Sequence, residues 1–205
     1  MIYGKRIWER GEGVASLETE TLIKDYLEDI KKIDIKQDLE KMVFPFCLST
    51  ELWEKYNDRK SKFDLSKVEK VKYFGENNRT LSSDIGNIPT EKGGIYFYVI
   101  ENSVLSEAGS YIMYVGEAHK TKYENLRARA RNHHSQYLRE EENERLEKVF
   151  DRWWNYVYFL YIPVDENDEY IDLVEDELIL ALTPPCNKEI PSPKIRRKLS
   201  AFNYT

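Results

Sequence analysis

The sequence predicts an α+β protein: a small three-stranded antiparallel sheet flanked by helices, behind a mostly helical N-terminal region. Three observations carry this. Aromatic and β-branched runs occur at residues 94–101, 110–116 and 153–162. Segments of helical periodicity follow the second and third runs, at 124–138 and 169–182. The resulting order, β–β–α–β–α, suits a hairpin with helices packed on its sheet.

The elements follow in order. Leu17, Leu22, Ile23, Tyr26, Leu27 and Ile30 share one face of a helix, with Ser16 or Thr19 as N-cap. A short segment around Leu39, Met42 and Val43 stops near Pro45. Ser49 opens a third helix through Leu52, Trp53 and Tyr56. Residues 57–90 are polar, with one candidate strand at 71–74 before the turn-prone Gly75-Glu76-Asn77-Asn78. Residues 102–109 form the hairpin loop between the first two strong strands. Pro184-Pro185 ends the last helix, and Lys194, Arg196, Arg197 and Lys198 make a basic tail. The expected division is therefore 1–88, a helical region for target contact or dimerisation; 89–190, the α+β core; and 191–205, the tail.

Composition narrows the function. The chain has 205 residues, long enough for a core without disulfide or metal staples. Its 31 Lys and Arg against 37 Asp and Glu exclude a protein that coats nucleic acid by bulk charge. No apolar run approaches transmembrane length. The first residues lack a signal-peptide core. Cys47 and Cys186 have no metal-like spacing. The expectation is a cytoplasmic protein with reduced thiols and no membrane partner.

Charge is unevenly spread. Residues 118–139 hold six basic residues (Lys120, Lys122, Arg127, Arg129, Arg131, Arg139) and one acid, Glu124. Residues 140–177 hold three basic and fourteen acidic residues. A solvated charge run is the ordinary meaning of such blocks. A basic strip beside a core-facing acid also fits a phosphate contact next to a metal-binding carboxylate.

Certain residues break the local pattern. At about 100° per residue, Tyr170, Ile171, Val174, Leu178, Ile179, Ala181 and Leu182 form one apolar arc, and Glu175 lies inside it. A carboxylate there needs a partner. It is either a structural ion pair or rim position, or a ligand or catalytic group. In the preceding helix Leu126, Ala130 and Tyr137 mark the apolar stripe, with Tyr123 beside it. Arg129 and His133 share a face bordering that stripe. Arg127 and Arg131 project towards solvent, and His119 and His134 read as surface residues. Arg129 and His133 are either an ordinary polar surface or a cationic rim that holds phosphate. Tyr96 and Tyr114 lie in the first two strong strands, where aromatic cross-strand packing is the plain explanation.

These residues together resemble the GIY-YIG nuclease family. Gly94-Ile95-Tyr96 and Tyr114-Val115-Gly116 match its paired signature. Leu126-Arg127-Ala128-Arg129 resembles its Leu-x-x-Arg, and His133 matches the His four residues later. Glu175-x-x-Leu178-Ile179, with Pro184 nine and Asn187 twelve residues after the Glu, matches its Glu element. The match covers residues 89–187. Glu117 stands where the family usually has Lys, and the gap from Gly116 to Leu126 is longer than in compact members.

The resemblance implies a stand-alone endonuclease that hydrolyses DNA phosphodiesters, of restriction, defence or mobile-element type, acting on double-stranded DNA with a homodimer as a possible assembly. It implies Mg²⁺ or Mn²⁺ on Glu175, phosphate held by Arg129, and Tyr96 or His133 as general base. Tyr114 would orient the water, and Asn187 would fix the end of the Glu helix or a phosphate. Lys120, Lys122, Arg127 and Arg131 would contact the nucleic acid. The alternatives are a structure-specific repair or recombination nuclease, and a non-catalytic nucleic-acid-binding module on the same fold.

Overall fold

The computed structural model describes residues 44, 46–59, 64–104, 109–165 and 168–202. By backbone contacts the chain divides into residues 1–43 and 44–205, and all described residues belong to the second unit. The two helical segments expected before Pro45 lie outside the described residues.

The α+β class is as expected, but the sheet has four antiparallel strands rather than three. They are β1 (Glu69–Lys72), β2 (Gly93–Glu101), β3 (Ser110–Ala118) and β4 (Val157–Val164), in the order β1-β4-β2-β3. The added strand overlaps the candidate at 71–74. It pairs Val71 with Phe159, and its third residue is the buried one. Without it, one backbone edge of β4 would lack partners. The expected boundary at 88/89 thus falls inside this unit, since residues 69–72 complete its sheet.

Among the described residues five helices accompany the sheet: α1 (Thr50–Arg59), α2 (Leu126–Leu138), α3 (Glu144–Trp153), α4 (Asp168–Leu182) and α5 (Pro193–Phe202). Short 3₁₀ turns occur at Leu65–Lys67, Ser83–Asn87 and Trp154–Tyr156. The expected third helix is present as α1, with Ser49 Oγ accepting the Leu52 N–H at 3.4 Å. The α3 helix was not anticipated, because residues 140–152 read as an acidic run. Its Leu146, Val149 and Phe150 are nevertheless buried one turn apart, and Asn143 caps it by accepting the Arg145 N–H. The strand expected from 153 accordingly starts at Val157. The basic tail is helical from Pro193, a residue suited to a first helical turn. Among the described residues no helix is long and apolar enough to cross a membrane.

Helices cover both faces of the sheet. On one face Tyr73, Tyr96, Tyr98 and Phe159 pack against Ala130 of α2 and Phe150 of α3. Aromatic edges meet faces there, as between Tyr98 and Phe150 at 5.1 Å. On the other, Ile95, Phe97, Val99 and Val115 pack against Ile171, Val174, Leu178 and Ile179 of α4. Each fully buried large side chain contributes about 1.5–3 kcal/mol. This double cover buries β2 from Gly93 to Ile100 without a break.

The outer edge of β3 is covered too. The Cys186 N–H donates to Met113 O at 2.9 Å. Asn187 Nδ2 donates to Val115 O at 2.8 Å, and its Oδ1 accepts the Val115 N–H at 2.9 Å.

Gly94 has φ +151°, and a Cβ there would lie 2.1 Å from Ile162 O on the neighbouring strand. Only glycine fits this close approach. Gly94→Ala is expected to lower the unfolding free energy by about 2–3 kcal/mol, from strained backbone plus a displaced strand. Urea denaturation checks this, and an unchanged midpoint would show that the strand gives way freely.

Candidate active site

The two halves of the expected site meet at β3. Alternation along this strand turns Tyr114, Gly116 and Ala118 towards α2, and Val115 and Glu117 towards α4, with His119 just past the strand end on the α4 side. The tyrosine, arginine and histidine group lies on one side of the strand and the acids on the other.

On the α2 side, Tyr96 is fully buried and stacks on Phe159 at 5.2 Å. Its oxygen lies 2.7 Å from His133 Nε2 and accepts Arg129 Nε–H at 3.2 Å. Arg129 and His133 converge on one atom because they lie one helical turn apart on α2, which Asn125 caps by accepting the Ala128 N–H at 2.8 Å. Burial pushes the Tyr96 phenol well above its usual pKa, with Tyr114 adding to the rise and Arg129 opposing it. The Arg129 guanidinium is about one-third exposed, and its cationic form is reinforced chiefly by Tyr96. Tyr114 stacks beside Tyr96 at 6.1 Å and is only half-buried. Its phenol is also pushed up, first by burial and then by the charge of Glu175.

Gly116 makes this packing possible. A Cβ there would sit 2.4 Å from Tyr96 Cζ and Oη and 2.8 Å from Tyr114 Cε1. The glycine of the second tripeptide therefore clears the space that the tyrosine of the first one fills.

Sequence reasoning missed a residue behind this group. Glu142, in the turn between α2 and α3, faces His133 Nδ1 at 2.5 Å, and both side chains are 6% exposed. No periodicity could reveal a turn residue that folds back onto the preceding helix.

On the α4 side, Glu175 is half-buried, as its place in the apolar arc predicts. Burial pushes its carboxyl up to about 8; Glu117 and Asp176 add repulsion, and Arg129 pulls the other way. Glu117, His119 and Asp172 bring ligand-type atoms within 4.8 Å of one another. His119 Nε2 lies 3.1 Å from Glu117 Oε1 and 3.2 Å from Asp172 Oδ1. Glu117 is pushed up to about 7, first by burial and then by Asp172. Its Oε2 is buried without a hydrogen-bond partner. Two carboxylates and an imidazole, beside a third carboxylate and with one orphaned oxygen, are a donor set that fits a divalent cation. His119, expected to be a surface residue, is half-buried here. Its i,i+2 spacing from Glu117 on a strand was the signal that could have found it.

The other expected site residues have plainer places. Asn187 spends a hydrogen bond from each amide atom on Val115, so it positions β3. Arg127 is half-buried, not directed wholly to solvent, and its Nε–H donates to Ile88 O at 2.6 Å. Lys120 is exposed and donates to Thr90 O at 2.9 Å. Lys122 is exposed and lies 5.2 Å from the centroid of the Tyr123 ring, which is 80% exposed and not part of the apolar stripe. Arg131 is exposed as expected. His134 is buried against Phe74 at 5.9 Å, against the expectation of a surface residue; burial lowers its pKa.

Compared with family models, with curated proteins and with solved structures, the chain matches none.

Two outcomes are expected from this geometry. Glu175 titrates near 8 folded against an ordinary 4.5, so the folded state binds more protons and stability falls as pH rises through that window. Glu175→Gln should raise the melting temperature at pH 8.5 without divalent metal and flatten the decline seen in the parent chain. A variant that melts lower than the parent at that pH would show that burial and the neighbouring acids do not disfavour the ionised carboxylate. Asn187→Ala should cost about 2–3 kcal/mol by leaving the Val115 N–H and C=O unpaired at a buried edge. Denaturant titration reads this directly, and a loss below a few tenths would show that the edge does not depend on the amide.

Proposed function

We propose that this chain is a metal-dependent endonuclease that hydrolyses DNA phosphodiester bonds, as its resemblance to the GIY-YIG family implies. The observation that carries the reading is the convergence of Arg129 and His133 on the Tyr96 phenol oxygen, with Glu175 close enough for its charge to act on Tyr114 across the edge strand. Residues that fall apart in sequence thus combine a phosphate-binding cation, a proton-accepting pair and a carboxylate.

Arg129 takes the scissile phosphate and stabilises the charge that develops on it. Moving to the phosphate draws the guanidinium off Tyr96 and opens the otherwise covered phenol to the attacking water. Tyr114, on the solvent side, orients that water. Glu175 would hold Mg²⁺ or Mn²⁺, with Glu117, His119 and Asp172 beside it as further donors. The nitrogen of His119 favours Mn²⁺ over Mg²⁺. Such an ion supplies Lewis acidity to the phosphate and its leaving oxygen. Lys120, Lys122 and Arg131 contact flanking phosphates, and the exposed Tyr123 ring offers a base a stacking surface.

The test is cleavage of plasmid and single-stranded DNA in Mg²⁺ or Mn²⁺, with an EDTA control. Glu175→Ala should abolish cutting. Arg129→Ala should lower the rate on the order of 10²–10³-fold. Cutting by Glu175→Ala at the parental rate would sink the metal assignment, and binding of DNA by the parent chain without any cutting would favour the non-catalytic module.

A further inference from the structure

The hydrogen bonds around His133 allow its protons to be assigned. Glu142 Oε1 accepts the Asn143 N–H at 2.7 Å, and its Oε2 faces His133 Nδ1. A carboxylate only accepts, so Nδ1 carries a hydrogen. In the neutral ring Nε2 is then an acceptor. It lies 2.7 Å from Tyr96 Oη, so the phenol must donate to it. The phenol oxygen is left to accept from Arg129, whose Nε–H already points there. One arrangement satisfies every group from Glu142 to Arg129. Glu142 is also a carboxylate whose side chain is only 6% exposed, which is costly without a partner. Its partners are His133 and one backbone N–H.

We propose that Glu142 is a positioning residue: it holds His133 in the Nδ1–H tautomer and makes His133 Nε2 the terminal proton acceptor, with Tyr96 as the relay. As water attacks phosphorus, its proton passes to Tyr96 Oη while the Tyr96 proton passes to His133 Nε2. The water oxygen forms the new P–O bond, and the leaving oxygen takes a proton from solvent. The charge gained by the imidazole is met by the Glu142 carboxylate, and Tyr96 need not exist as a free phenolate in the resting protein. Tyr98 shows why this matters: it is an equally buried phenol, and burial, with Tyr73, Tyr96 and Glu142 adding to it, keeps its proton on. The relay step rests on the hydrolytic reading above; the tautomer does not.

The test uses the full chain labelled with ¹⁵N-histidine and long-range ¹H–¹⁵N correlation spectra, with His133→Gln to assign the signal. The parent chain should show His133 as the Nδ1–H tautomer. Glu142→Ala should shift it towards the Nε2–H form and lower kcat on the order of 100-fold with KM unchanged. Glu142→Gln, whose amide oxygen can still accept from Nδ1, should keep the tautomer and recover part of the rate. An Nε2–H signal in the parent chain overturns the proposal even if no variant folds. So does a tautomer unmoved in a folded Glu142→Ala protein, or a rate loss that lies wholly in KM. If the parent chain cuts no nucleic acid, the hydrolytic reading and the relay step fall together, and the spectrum alone judges the tautomer.

Discussion

A buried phenol must place its oxygen, and the Tyr96 oxygen organises this molecule. The side chain fills the gap between the sheet and α2 with its ring on Phe159. Its oxygen would be an unpaired polar atom in that core, at a cost of about 1–3 kcal/mol. His133 and Arg129 meet it from one face of α2, which fixes how that helix sits on the sheet. Gly116 has to lack a side chain to admit the ring. Glu142 has to return from the next turn to satisfy the far side of the imidazole. The same hydrogen bonds that stabilise the core therefore assemble the candidate chemistry.

Much of this was legible in the sequence, and the legible parts share a cause. Glu175 stood out because helical periodicity puts it among Ile171, Val174 and Ile179, and the structure has it half-buried among them. Arg129 and His133 were paired by their spacing on one helix. Both inferences use a local rule, in which the backbone geometry of a single element sets which side chains are neighbours.

What was not legible depends on contacts across elements. The strand β1 is four residues long and mostly polar, and only its pairing with β4 reveals it as part of the sheet. The α3 helix is amphipathic, but its acids mask a narrow apolar stripe of Leu146, Val149 and Phe150. His134 sits beside polar neighbours in sequence and beside Phe74 in space. The group of Glu117, His119 and Asp172 joins the end of a strand to the first turns of a helix more than fifty residues later. The charge blocks likewise acquire meaning only in three dimensions. Basic residues of α2 and carboxylates of α4 lie on opposite sides of one edge strand, so a substrate that reached both would have to lie across that edge.

The amide of Asn187 has a consequence beyond the site. An unpaired strand edge is a template for another extended chain, and proteins that expose one risk edge-to-edge association. At β3 the outward Met113 and Val115 groups are already taken by Cys186 and Asn187. At the other end of the sheet, β1 is short and carries Lys70 and Lys72, a further deterrent to strand addition. Growth of the sheet along β3 is thus hindered by the Cys186 N–H and by the Asn187 amide, which copies the backbone's own hydrogen-bond pattern. The proposed cleavage face can stay open to a long polymer without inviting a second copy of the chain to add a strand there.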